Sequence, residues 1–255
     1  MSVDLQALAL SIGMATAAGL VGCFAVMRRM TLASDAIAHV ALPGIALALL
    51  VHVQPFLGGL VALLLGTLLV WLVESRTRMA TETVIGVVFS AALAVGAMFT
   101  RGEDLIDALF GAAGPLAAWE LVVGLVGAAG VVLFVLGARH RLVLALVSPD
   151  LARSAGVHVA RLSLLFLLAF SLTVALGLRY LGVLLMGSLI IIPAATARHV
   201  SRSLPAMLAV AVAAAVVSTL VGTALAHALR RETGPMIIAV AAAGFFLALL
   251  TRRRP

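Results

Sequence analysis

Apolar residues run through this chain in long blocks, broken by short clusters of arginine, acid, proline and glycine. Crossing about 30 Å of hydrocarbon takes about 20 helical residues. Blocks near that length fall at roughly 5–27, 30–52, 56–73, 82–100, 115–138, 162–179, 180–197, 204–228 and 235–251. The pattern predicts an all-α, polytopic membrane protein of eight or nine transmembrane helices, with residues 1–255 forming a single transmembrane domain. The two blocks meeting at Arg179-Tyr180 have almost no loop between them, so they read as two spans or as one span with a partial segment. Residues 1–27 lack the basic start of a signal peptide and are read as the first span.

The longest polar stretch is 139–161. Within it, Ser148-Pro149-Asp150-Leu151-Ala152-Arg153-Ser154-Ala155-Gly156 has the marks of a short, bounded helix inside 148–158. Ser148 suits an N-cap, Pro149 the first helical position, and Asp150 the positive amino end. Gly156 supplies a left-handed stop. Such a helix serves equally as a connector or as a rigid docking element, and the pattern alone leaves both open.

Composition agrees with the blocks. The chain is 64% hydrophobic and 11% charged, against about 25% charged in a soluble domain. All 17 basic residues are arginine. The lack of lysine excludes a P-loop lysine and a Schiff-base lysine, so the energy for any transport comes from a partner or an ion gradient. The formal charge of +7 sits mostly at block ends, and no basic clusters are interleaved with aromatics. Nucleic-acid binding is therefore excluded, and the lipid bilayer is the expected environment. Placing the turn after the first block in the cytoplasm puts 13 arginines inside and leaves four outside (Arg101, Arg179, Arg230 and Arg231). The positive-inside rule supports that orientation, with an external amino terminus and a cytoplasmic carboxyl terminus.

Candidate chemistry lies inside the second block. Asp35 and His39 are one helical turn apart and share a face. A carboxylate near mid-bilayer costs about 2.5–3.5 kcal/mol on insertion scales, so it is retained where it has a use. Carboxylate and imidazole together suit a borderline divalent metal. Pro43 is a candidate gate or kink residue that removes the helical hydrogen bond to the carbonyl of His39, making that oxygen a candidate further hard ligand. Two ligands are too few for a metal preferring four or more, so other spans or a second copy of the chain must contribute.

The remaining polar residues have plainer readings. Glu82 is expected to be an interfacial acid offsetting Arg76 and Arg78, and His52 an interfacial residue. His140, His158 and His199 lie among arginines, and His227 has no evident counterpart. Glu103, Asp104 and Asp107 form a solvated outer loop or a cation-attracting mouth. Gly182, Gly187 and Pro193 combine small residues with a kinking proline, which suits close helix contact or a movable gate. Cys23, the only cysteine, excludes an intramolecular disulfide and a thiolate metal site and is expected as a small buried hydrophobe. No hydrolase or metalloprotease signature is present, so the chain is not expected to be an enzyme.

These stretches together resemble the ABC-3 family of permease subunits from ABC importers for zinc, manganese and iron. The resemblance is carried by Arg28-Arg29-Met30 with Asp35-x-x-x-His39-x-x-x-Pro43-Gly44, by Ile85-Gly86-x-x-Phe89-Ser90, by Leu109-Phe110-Gly111 and by Asp150-x-Ala152-x-x-x-Gly156. Leu178-Arg179-x-x-Gly182-x-Leu184-Leu185 and Pro193-Ala194-Ala195-Thr196-Ala197 extend it. It implies a homodimeric type II importer permease in the inner membrane, with Asp35 and His39 of each copy lining the metal path. It also implies that Pro149, Asp150, Ala152 and Gly156 belong to a coupling helix docking on a cytoplasmic ATP-binding subunit. An extracytoplasmic metal-binding protein would deliver Zn²⁺, Mn²⁺ or Fe²⁺. The rival reading is a stand-alone proton-coupled divalent-cation carrier with Asp35 as the proton-coupling group, and a third is a scaffold whose polar pair only joins helices.

Overall fold

A computed structural model describes residues 5–77, 79–99 and 118–250, excluding the side chains of residues 5, 32–35, 99 and 179–185. Within these residues the chain is helical. Its elements are α1 (Leu5–Met27), α2 (Thr31–His39), α3 (Ala41–Leu50), α4 (Pro55–Arg76), α5 (Thr81–Phe99), α6 (Ala118–Val147), α7 (Pro149–Ser154), α8 (Val159–Val200), α9 (Leu204–Leu229) and α10 (Thr233–Leu250). Among the described residues, seven helices are long and apolar enough to cross a membrane. The segment containing α2 and α3 holds a shorter apolar helix, Ala36–Leu50, and α8 continues past the candidate span Val159–Leu178.

Small residues let α1 sit at the centre. Its neighbours are α6, α8 and α9, and 72% of its most apolar window is buried, against 17–22% for α4, α5, α6 and α10. A Cβ on Gly19 would lie 2.9 Å from the Ala211 carbonyl oxygen, and one on Gly22 would collide with the Ile190 carbonyl. These close approaches are the small-residue packing expected where lipid offers helices no hydrophobic drive to associate. The large apolar side chains on α4, α5 and α6 instead point outward, as in helices facing lipid.

The helix α8 resolves the ambiguity at Arg179-Tyr180. A straight helix of 42 residues would be about 63 Å long, twice the hydrocarbon thickness. Yet Phe166 meets Phe24 edge to face, and Arg198 donates to the Val26 carbonyl at 3.1 Å, so both ends of α8 meet the same end of α1. Met186 reaches back onto Gly177, placing the reversal between those residues. The helix α8 thus provides two antiparallel crossings joined by a tight reversal.

Three helices stop on left-handed residues that are not glycine: Arg29 (φ 61°), His52 (φ 55°) and Arg230 (φ 51°). At the first stop, Met30 N–H donates to the Ala25 carbonyl at 2.9 Å and Arg29 N–H to the Val26 carbonyl at 3.2 Å. This is the two-bond Schellman arrangement, in which a buried apolar residue follows the left-handed position. Met30 is that residue. The connection from α1 to α2 is therefore short and firmly set.

Candidate functional site

The second apolar block is interrupted at its middle. The helix α2 ends at His39, Val40 bridges, and α3 starts at Ala41. Val40 keeps helical dihedrals (φ −62°, ψ −19°), so the break is a kink across the turn that Pro43 deprives of its N–H, not an unwound segment. A Cβ on Gly66 would meet Val40 at 2.5 Å. Gly66 is ten residues from the Arg76 end of α4, about 15 Å along the axis. The break is therefore close to halfway across the bundle.

Several features converge at that level. The carbonyl end of α2, the negative pole of its backbone dipoles, points into the break. His39 is the last residue of α2 and meets Phe89 of α5 edge to face, with ring centroids 5.5 Å apart. Asp35 occupies the position one turn earlier on α2, although its side chain lies outside the described residues. Pro43 packs beside Gly96 of α5, whose Cβ position is 3.4 Å from the proline nitrogen. Among the described residues, no three His, Cys, Asp or Glu side chains converge.

A second site lies at the end of the bundle that bears Arg28 and α7. A cavity of about 1030 Å³ opens there, lined in part by Arg28, Trp71, Glu74, Glu82, Arg153 and His158. On its rim, α7 is capped at both ends. The Ser148 hydroxyl accepts from the Leu151 N–H, and Pro149 occupies the first helical position. Gly156 takes φ 77°, which favours glycine. Asp150 pairs with Arg153 at 2.7 Å in the open, a contact of small energetic weight. Ala152 is fully buried against the rest of the bundle, so α7 presents its opposite side outward, with Leu151 exposed.

Glu74 is a functional candidate absent from the sequence reading. Its Oε1 accepts from the Thr81 hydroxyl at 2.8 Å, tying α4 to the start of α5, while Oε2 is buried with no hydrogen-bond partner among the described residues. Burial pushes the Arg28 guanidinium below its ordinary pKa, and the Glu74 carboxylate opposes that shift. Arg28 also lies over the Phe166 ring, 4.5 Å from its centroid. A signal for Glu74 exists in the sequence: an acid in the last turn of a helix opposes the helix dipole, and so marks a position with a specific use.

The other candidates separate by location. Glu82 sits in the first turn of α5 and lines the cavity, about 10 Å along the axis from Phe89. His158 caps the start of α8 at the same cavity. His140 is exposed and accepts a hydrogen bond from Arg139, His199 lies in the last turn of α8, and His227 in the last turn of α9. None of these joins His39. Gly187 and Pro193 are buried in the returning limb of α8. Gly182 lies in α8, within the stretch whose side chains are not described, and the acids Glu103, Asp104 and Asp107 lie outside the described residues. Cys23 is buried and donates to the Met207 carbonyl at 3.6 Å, the contact of a small packed residue.

The model of the ABC 3 transport family matches residues 2–252. The high-affinity zinc uptake system membrane protein ZnuB of Haemophilus influenzae is 30% identical over 240 residues, covering 91% of each chain. The manganese transport system membrane protein MntC of Halalkalibacterium halodurans is 31% identical over 248 residues, 95% of this chain and 85% of that protein. Among solved structures, a chain of PsaBC from Streptococcus pneumoniae in complex with Fab superposes with a TM-score of 0.81 at 26% identity. It covers 96% of this chain and 90% of that one.

Proposed function

This chain belongs to the ABC 3 transport family, and from that premise we propose that it is the permease subunit of an importer carrying Zn²⁺ or Mn²⁺ into the cytoplasm, with Fe²⁺ as a third candidate. It is a multi-pass membrane transport protein of the plasma membrane and not an enzyme. ATP hydrolysis belongs to a separate subunit.

The observation that carries the metal reading is the break at Val40. It brings the carbonyl end of α2, His39 and the Asp35 position to mid-bundle on a face touched by α5. Relatives named for zinc and for manganese support a divalent cargo. Imidazole and carboxylate serve both metals, while raw affinity favours zinc. Two copies of the chain would double the ligand set to two Asp and two His, which is why we assign a homodimer with this segment near the axis. Gly182, Gly187 and Pro193 in α8 are assigned to the gate beside that path.

At the cytoplasmic end, α7 with Pro149, Asp150, Ala152 and Gly156 is assigned as the helix that docks on the ATP-binding subunit. Its double capping and buried Ala152 hold the outward face rigid, as a docking element requires. An extracytoplasmic metal-binding protein would load the opposite mouth.

The test is cellular Zn, Mn and Fe measured by mass spectrometry in a deletion host complemented with wild type, Asp35→Asn or His39→Ala, at equal membrane levels. Restoration of one metal by wild type and not by the variants supports the path and names the cargo. Variants that restore metal as well as wild type would falsify the site. Transport by the purified chain alone under a proton gradient would favour a stand-alone carrier.

A further inference from the structure

We propose that Arg28 and Glu74 form a positioning pair that keeps α2, and with it the metal path, in step with the ATP-binding subunit docked at α7. The inference rests on the importer reading above and extends it to residues that touch neither metal nor nucleotide. Both side chains line the cavity beside α7, which Arg153 of α7 also lines. Among the described residues the only ion pair within 4.0 Å is Asp150–Arg153. Arg28 and Glu74 therefore face each other without closing a direct salt bridge in this conformation. One Glu74 oxygen is committed to Thr81, and the other is buried without a hydrogen-bond partner. That oxygen has a use for a cation that moves closer.

Each member of the pair connects to the metal helix by a stiff link. Arg28 lies two residues before the first-turn anchor Met30, inside the Schellman stop that joins α1 to α2. A shift of Arg28 against Phe166 is thereby passed to the start of α2, because the turn has no slack. Glu74 holds Thr81, the first residue of α5, and α5 carries Phe89 against His39 eight positions later. The two links enter α2 from its two ends. A charge at Glu74 that alternately pairs with and releases Arg28 would move both together, as a two-state element must.

The experiment uses the permease co-purified with its ATP-binding subunit in proteoliposomes, with Zn²⁺ and Mn²⁺ each offered as the probe. The quantity read is metal ions moved per ATP hydrolysed, alongside thermal stability in detergent. Glu74→Gln keeps the side chain's size and the Thr81 contact but removes its charge. Glu74→Gln and Arg28→Gln should each lower the ratio about fivefold or more, the lower range of site-to-site couplings, while ATP hydrolysis continues. Arg28→Lys should retain more of the ratio than Arg28→Gln, and the Arg28→Gln/Glu74→Gln double variant should lose less than the sum of the singles. Single variants with a wild-type ratio, or with lowered stability and an unchanged ratio, would overturn the pair as a positioning device. A wild-type complex that moves neither metal overturns the importer reading, and this inference falls with it at that arm.

Discussion

Gly44 and Gly58 meet backbone to backbone, and the carbonyl of each occupies the place a Cβ on the other would take. This is the crossing of α3 and α4, one turn beyond the break at Val40. It presses the outer half of the second span against its neighbour and so holds the position of the break itself. Gly44→Ala or Gly58→Ala should cost about 1–3 kcal/mol of packing and lower the melting temperature of the detergent-solubilised protein. Gly130→Ala makes the matched control, because nothing lies within 4 Å of its Cβ position. There, alanine should be neutral or stabilising by about 0.5–1 kcal/mol through helix propensity.

Phe89 holds the His39 ring by its edge. Phe89→Ala removes a contact of about 0.5–1.5 kcal/mol, which corresponds to about a 2- to 10-fold change. Metal accumulation should fall by that order at unchanged membrane level, and Phe89→Leu should fall less. Equal accumulation in all three proteins would separate the ring from the path.

Pro43 lets α3 restart without an N–H directed at the His39 carbonyl. Pro43→Ala should allow helix to run through residues 39–43 and blunt discrimination among Zn²⁺, Mn²⁺ and Fe²⁺, while insertion stays intact. Competition uptake with paired metals reads this directly. Unchanged selectivity would remove the carbonyl end of α2 from the ligand set.

The caps of α7 can be removed without touching the bundle. Ser148→Ala should destabilise the short helix by about 1 kcal/mol, and Gly156→Ala should strain a residue held at φ 77°. Both should weaken co-purification of the ATP-binding subunit while leaving membrane level and detergent stability of the isolated chain near wild type. Loss of stability without loss of co-purification would make α7 a connector only.

Much of this molecule was legible in the sequence because lipid imposes strong rules. Apolar blocks, arginine bias and the serine, proline and glycine around α7 each follow from local chemistry, and the helices fall near the blocks, although α6 runs on to Val147, nine residues into the polar stretch. The division of the second block into α2 and α3 was legible only as a kink at Pro43. The kink is centred on Val40, inside the turn of residues 39–43 whose hydrogen bond the proline removes. The pairing of Phe89 with His39 and of Glu74 with Thr81 depends on how α4 and α5 lie beside α2, which no spacing within one helix encodes. The reversal inside α8 was visible as an excess of apolar length, and only contacts such as Phe166 and Arg198 on α1 make it a return.

The central place of α1 has a consequence for biogenesis. It is made well before its partners: Arg198 bonds to Val26 across 172 residues and Cys23 to Met207 across 184. Until those segments are inserted, the small-residue flank of α1 has no native surface to lie on. Insertion can proceed helix by helix, but closure of the bundle must await α8 and α9. A ribosome stalled before residue 159 would leave a threaded but unassembled chain, the form most exposed to membrane quality control.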